Sequence, residues 1–213
     1  MDFKELTIFN PVSVGKDSVV VNFDWDEYFY AKQLQERIIT FDEDIRDATA
    51  SVVTQIITYI NKVDRGIPAE ERDPIKIFFT SPGGDVFAGF SLIDVIENSI
   101  TPIIIINTSY QYSMGAYIGM VGHKRYATPH ATFLIHDGTT IIGDSSGKAH
   151  DFLKFDEKIQ EKMRDIVLKH TKIDEELLDK KSREEWYFFA DEAKKLGLID
   201  GIIGEDVTFE EII

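Results

Sequence analysis

Short apolar runs recur along the chain, each closed by turn residues and followed by a segment at helical spacing, and this alternation limits the possible folds most. Residues 75–80 form one run, closed by Ser81-Pro82-Gly83-Gly84, and residues 86–98 follow with Val86, Phe90, Ile93 and Ile96 as an inner helical face. Residues 102–108 are the next strand, residues 114–120 a helix-compatible segment, and residues 131–135 a further strand ending at His136. Upstream, residues 36–41 read as the first core strand. Residues 44–63 read as a helix with Ala48, Val52, Val53, Ile56, Ile57 and Ile60 on its apolar side. Repeated strand–helix alternation predicts an α/β domain with parallel pairing and crossover helices.

Downstream, residues 148–169 carry Phe152, Phe155, Ile159, Met163, Ile166 and Val167 at helical spacing on an otherwise charged segment. Two shorter helices are expected near 174–180 and 190–196. Residues 64–73 read as a loop, from Gly66, Pro68 and a charge cluster, and residues 138–147 as a loop or irregular hairpin, from their glycines, threonines and serines. Residues 1–23 are weakly patterned, with one apolar run at 19–23. The expected organisation is an N-terminal arm, loop or strand region over 1–25 and a single domain over 26–213.

Composition removes several classes of function. With 213 residues, 43% of them hydrophobic, the chain is long enough to bury a core without staples. It has no cysteine, which rules out disulfides, thiolate chemistry and iron–sulfur ligation. The 23 basic and 38 acidic side chains leave a net charge of -15, and no basic stripe offsets it, so nucleic acid is not an expected partner. The histidines form no HExxH or similarly close ligand spacing, and no P-loop or GxGxxG pattern is present, so neither a metal nor a cofactor is expected. No targeting segment or membrane-length apolar run is seen, and we read the protein as soluble and cytoplasmic.

Three features end expected strands, where sheet-based enzymes place their chemistry. Gly83-Gly84 is either a simple tight turn or a backbone cradle that lets a ligand approach exposed amides. Ser113, before a helix-compatible segment, is either a helix cap or a nucleophile favoured by the nearby helix N–H groups. His136 is either a hydrogen-bonding residue at a strand end or a general base for Ser113. Read singly, each alternative stands.

Read together, they match a known pattern. Phe79-Thr80-Ser81-Pro82-Gly83-Gly84, then Val86 and Ala88-Gly89, resembles the strand and glycine turn of the Clp protease proteolytic-subunit family. Tyr112-Ser113-Met114-Gly115-Ala116 is similar to that family's nucleophile segment, and Pro129 with Phe133-Leu134-Ile135-His136 to its histidine strand. Ala190, Glu192-Ala193 and Leu196-Gly197-Leu198-Ile199-Asp200 resemble its C-terminal signature. The resemblance runs in the family's order over 36–203.

It implies a crotonase-like fold of repeated ββα units and a serine endopeptidase hydrolysing peptides or unfolded proteins through an acyl-enzyme. Ser113 then corresponds to the nucleophile and His136 to the base. The amides of Gly84 and Met114 correspond to the oxyanion donors. The segment 148–169 corresponds to the helix joining two heptameric rings in a tetradecamer. A Clp-type AAA+ unfoldase is the implied partner. Two departures stand out. The family's third catalytic residue, an aspartate, aligns with Glu185, with Glu184 as its neighbour, and Asp137-Gly138 replaces a glutamine-proline pair. The first departure keeps open a catalytically weak or inactive ring subunit. Acyl-CoA chemistry on the same fold is the alternative from another class.

Overall fold

The computed structural model describes residues 25–138, 146–181 and 183–213. It divides into two compact units, Met1–Glu36 and Arg37–Ile213. The described part of the first is helix α1 (Trp25–Gln35), where the sequence offers only an acidic-aromatic lead into a strand. Ala31, Lys32, Gln33, Leu34 and Gln35 are all good helix formers, and this local preference sets the element. The apolar run at 19–23 lies outside the described residues, as does most of the loop expected at 138–147.

The second unit begins with β1 (Ile38–Phe41), α2 (Asp47–Val63), β2 (Ile75–Phe79) and α3 (Val86–Glu97). It continues with β3 (Ile103–Asn107), β4 (Tyr110–Tyr112), α4 (Met114–Met120), β5 (Lys124–Ala127) and β6 (Thr132–Ile135). Helices α5 (Ser146–His170) and α6 (Glu175–Lys181) precede β7 (Trp186–Phe189), α7 (Ala190–Leu196), β8 (Gly201–Ile202) and α8 (Phe209–Ile212). The result is α/β.

One sheet, ordered β1-β2-β3-β5-β8, is parallel throughout. Isoleucine-rich strands β2 and β3 lie inside it, and Ile75, Ile77, Phe79, Ile103, Ile105 and Ile106 are all buried. A second, three-stranded sheet, β4-β6-β7, pairs β4 with β6 in parallel and β6 with β7 antiparallel. That antiparallel strand is a departure from the all-parallel expectation. The short strands β4, β5, β7 and β8 are not expected from the sequence, because each is too short or too charged to show a period of two.

Two helical faces are also rotated from expectation. On α2 the buried residues are Ala50, Val53, Ile57 and Ile60, while Val52 is half exposed and Ala48 is exposed. On α3 the face turned inward is Ala88, Gly89, Leu92, Ile93 and Ile96, with Val86 and Phe90 only partly buried. Small residues line this inner side because α4 approaches closely. A methyl group at Gly89 would come within 2.4 Å of the Met114 side chain.

One polar cluster is buried beneath the first crossover. Asp64, wholly buried, receives both Nη atoms of Arg37 at 2.7 and 2.8 Å and the Thr101 hydroxyl at 2.6 Å. Arg37 also donates to the Asp73 carbonyl at 2.7 Å. The Arg37 hydrogen bonds hold the Asp64 carboxyl below the usual carboxylate range.

Candidate active site

Strand pairing brings the candidate residues together. Tyr112 at the end of β4 is paired with Leu134 on β6, and the Ser113 amide donates to the Leu134 carbonyl at 2.9 Å. His136 follows two residues later, just past the end of β6. Ser113 immediately precedes α4, and its own carbonyl accepts from the Ala116 and Tyr117 amides at 2.9 and 3.4 Å. Its backbone is left-handed, with φ 52° and ψ -128°, a conformation that strains any residue bearing a Cβ. Its side chain makes no capping hydrogen bond, so capping does not account for a serine here.

The glycine turn packs directly against it. Gly83 has φ 102°, and a methyl group there would lie 2.8 Å from Ser113 Cβ and 3.2 Å from the Met114 amide nitrogen. Gly84 has φ 146°, and its methyl group would meet the Ile45 carbonyl oxygen at 2.3 Å. The turn is tied down from outside. The Ile45 amide donates to the Gly83 carbonyl at 2.9 Å, and the Asp85 amide donates to the Ile45 carbonyl at 2.8 Å. Ser81 Oγ accepts from the Gly83 amide at 3.2 Å and donates to the Glu43 carbonyl at 2.8 Å. The amides of Gly84 and Met114 have no hydrogen-bond partner among the described residues. A pair of such donors beside a serine hydroxyl suits a developing negative charge.

Ser113, His136 and Gly84 line one cleft of about 470 Å³, closed on another side by Phe152, Asp156 and Gln160 of α5. Glu185 is held differently. The last cross-strand pair between β6 and β7 is Ile135 with Trp186, so His136 and Glu185 stand one step beyond it. The Glu185 carboxylate is exposed and accepts from the Tyr187 hydroxyl at 3.0 Å, not from His136. This bond holds the Tyr187 phenol above its usual range. Glu184 faces elsewhere and receives Lys181 Nζ at 2.5 Å.

Two other histidines, His123 and His170, are engaged in the framework. His123 Nδ1 accepts from the Ile103 amide at 3.1 Å, and burial lowers its pKa. His170 pairs with Glu97 at 2.6 Å. Sequence reasoning missed Ser81 and Ile45, which hold the glycine turn, because their role depends on contacts across the fold.

Among the described residues, a strained serine on a strand-to-helix turn, a histidine lining the same cleft and two amides without partners are the kinds of group a serine hydrolase uses. The family model described as Clp protease matches residues 25–206. The chain is 32% identical over 177 residues to the ATP-dependent Clp protease proteolytic subunit 1 of Chlamydia abortus, covering 81% of this chain and 88% of that protein. It is likewise 32% identical over 177 residues to the protein of the same name from Chlamydia caviae, covering 81% and 89%. The chain belongs to the Clp protease family. Its function is that of a serine-type peptidase working through an acyl-enzyme.

Proposed function

We propose that Ser113 is the nucleophile of this peptidase and His136 its general base. The cleft that joins them with Gly84 carries the reading. His136 takes the hydroxyl proton as Ser113 Oγ attacks the peptide carbonyl carbon. The amides of Gly84 and Met114 receive the oxyanion. Collapse breaks the C–N bond, His136 returns the proton to the leaving amine, and the acyl group stays on Ser113 until water releases it. A rapid-mixing experiment with an activated ester tests this: a burst of one equivalent of leaving group per chain is expected, and a strictly linear start at saturating ester would contradict it.

Glu185 orients His136 in this reading, supported by its place opposite His136 beyond the β6–β7 pairing. The carboxylate leaves the Tyr187 hydroxyl when it turns to the imidazole. Replacing Glu185 with alanine is expected to lower kcat/KM roughly 100-fold or more, while the same change at Glu184 stays within about twofold. Equal, near-wild-type rates in both variants would put the third member elsewhere.

The fold reading extends to a crotonase-like repeat of ββα units. In β3-β4-α4 and β5-β6-α5, the first strand joins the large sheet and the second joins the small one, which supports it. Assembly into two heptameric rings, fed by a Clp-type AAA+ unfoldase, completes the reading. Support comes from α5, whose N-terminal half leaves Phe152, Leu153 and Phe155 40 to 50% exposed while Ile159, Met163 and Val167 are buried. Phe155 stacks on the half-exposed Phe87 at 6.3 Å, extending the apolar patch. Light scattering is expected to give fourteen chains of 24.3 kDa, about 340 kDa. A monomer or dimer that keeps full peptidase activity would rule out the ring assembly.

A further inference from the structure

Behind His136 lies a second cavity, of about 340 Å³, between α5, α6 and β7. Its floor is apolar: Ile135, Met163, Val167, Leu178 and Trp186 are all buried. Tyr117 also lines it and is only 7% exposed, yet its hydroxyl has no hydrogen-bond partner among the described residues. The hydroxyl is not among the fully enclosed unpaired oxygens of the described residues, so it is reachable by solvent, where a ligand's donor can take the place of water. Burial, helped by the negative charge of Asp137, pushes the Tyr117 phenol up, so it stays neutral and offers its oxygen as an acceptor.

The charges around the cavity are uneven. Four carboxylates line it, those of Asp137, Asp156, Glu157 and Glu161, against the cations of Arg164 and Lys181. Both cations are paired with carboxylates that do not line it, Arg164 with Asp179 and Lys181 with Glu184, and Lys181 Nζ also lies 5.7 Å from the centre of the Trp186 ring. Asp137, Glu157 and Glu161 have no ion pair among the described residues. An acidic substrate side chain would meet repulsion here, and a wholly apolar one would leave the Tyr117 hydroxyl unbonded.

We infer that this cavity takes the substrate side chain on the acyl side of the scissile bond and selects lysine or arginine, an apolar stem ending in a cation. The inference rests on the Ser113–His136 reading. His136 lines both the catalytic cleft and this cavity, so the two adjoin at the bond being cut. Tyr117 is one turn from Ser113, its amide bonded to the Ser113 carbonyl at 3.4 Å. The acyl part stays bonded to Ser113 after the amine departs, so a cavity on the nucleophile's own helix holds that part. The stem packs on the apolar floor, and the cationic end donates to Tyr117 Oη within the field of Asp137.

Peptidyl-aminomethylcoumarins that differ only in the residue before the coumarin test this. Lysine and arginine are expected to exceed norleucine, which matches the lysine stem without its charge, by about tenfold in kcat/KM, with glutamate slowest. Tyr117→Phe is expected to narrow the lysine-to-norleucine ratio about fivefold, and higher salt to narrow it in the wild type. Norleucine equal to or better than lysine, in wild-type protein whose Ser113 is labelled by a fluorophosphonate, overturns the inference and leaves the peptidase standing. Protein that takes no label at Ser113 removes both.

Discussion

Replacing Ser113 with alanine is expected to lower peptide hydrolysis by about 10⁴-fold or more while leaving the protein folded. The expectation is specific because alanine bears the same Cβ at the same left-handed backbone, φ 52°, so strain is shared by both proteins. What is lost is the hydroxyl, which makes no capping bond whose removal would weaken α4. Ser113→Gly separates the two effects further. It is expected to be equally inactive yet more stable than Ser113→Ala, because glycine removes the Cβ strain. A thermal melt beside the activity assay reads both. An alanine variant that retains a tenth of the wild-type rate would move the nucleophile to another residue.

The second large effect concerns stability rather than chemistry. Asp64→Ala is expected to destabilise the protein by about 3 kcal/mol, because it leaves the Arg37 guanidinium and the Thr101 hydroxyl without their shared acceptor. Denaturant titration measures the loss, and a change under about 0.5 kcal/mol would show the cluster to be incidental. The same pair sets a pH dependence. The folded carboxyl titrates below its unfolded value of ~3.9. Its contribution is therefore full above that value and declines as pH falls through the folded pKa. Wild-type stability is expected to drop below about pH 4 more steeply than that of Asp64→Asn.

Much of the candidate site is legible in the sequence because its residues sit in short, continuous segments. The string from Tyr112 to Ala116 spans the end of β4 and the first turn of α4, and Phe133 to His136 spans the end of β6. The glycines were legible as a turn, but the reason each must be glycine was not. That reason is Ile45 and Ser113 pressing from other elements. Glu185 shows the same limit, since spacing gave its register and could not show its bond to Tyr187.

In the fold, long isoleucine-rich runs announced β2 and β3, whereas β5 begins with Lys124 and Arg125 and shows no apolar period. Arg125 belongs there because its guanidinium bonds Asp200 and the carbonyls of His170 and Gly197, all distant in sequence. The apolar side of α2 was misjudged for a related reason. Its sequence carries more apolar residues than one core face needs, leaving Val52, Tyr59 and Val63 exposed.

Mass spectrometry of the protein after treatment with a fluorophosphonate asks whether Ser113 is the activated nucleophile. The reagent reacts with a serine hydroxyl only where a base activates it and an oxyanion site receives the developing charge. One adduct per chain is predicted, on the peptide containing Ser113, and it should disappear in both Ser113→Ala and His136→Ala. Peptidase activity in a preparation that carries no adduct, or an adduct confined to another serine, would contradict the account.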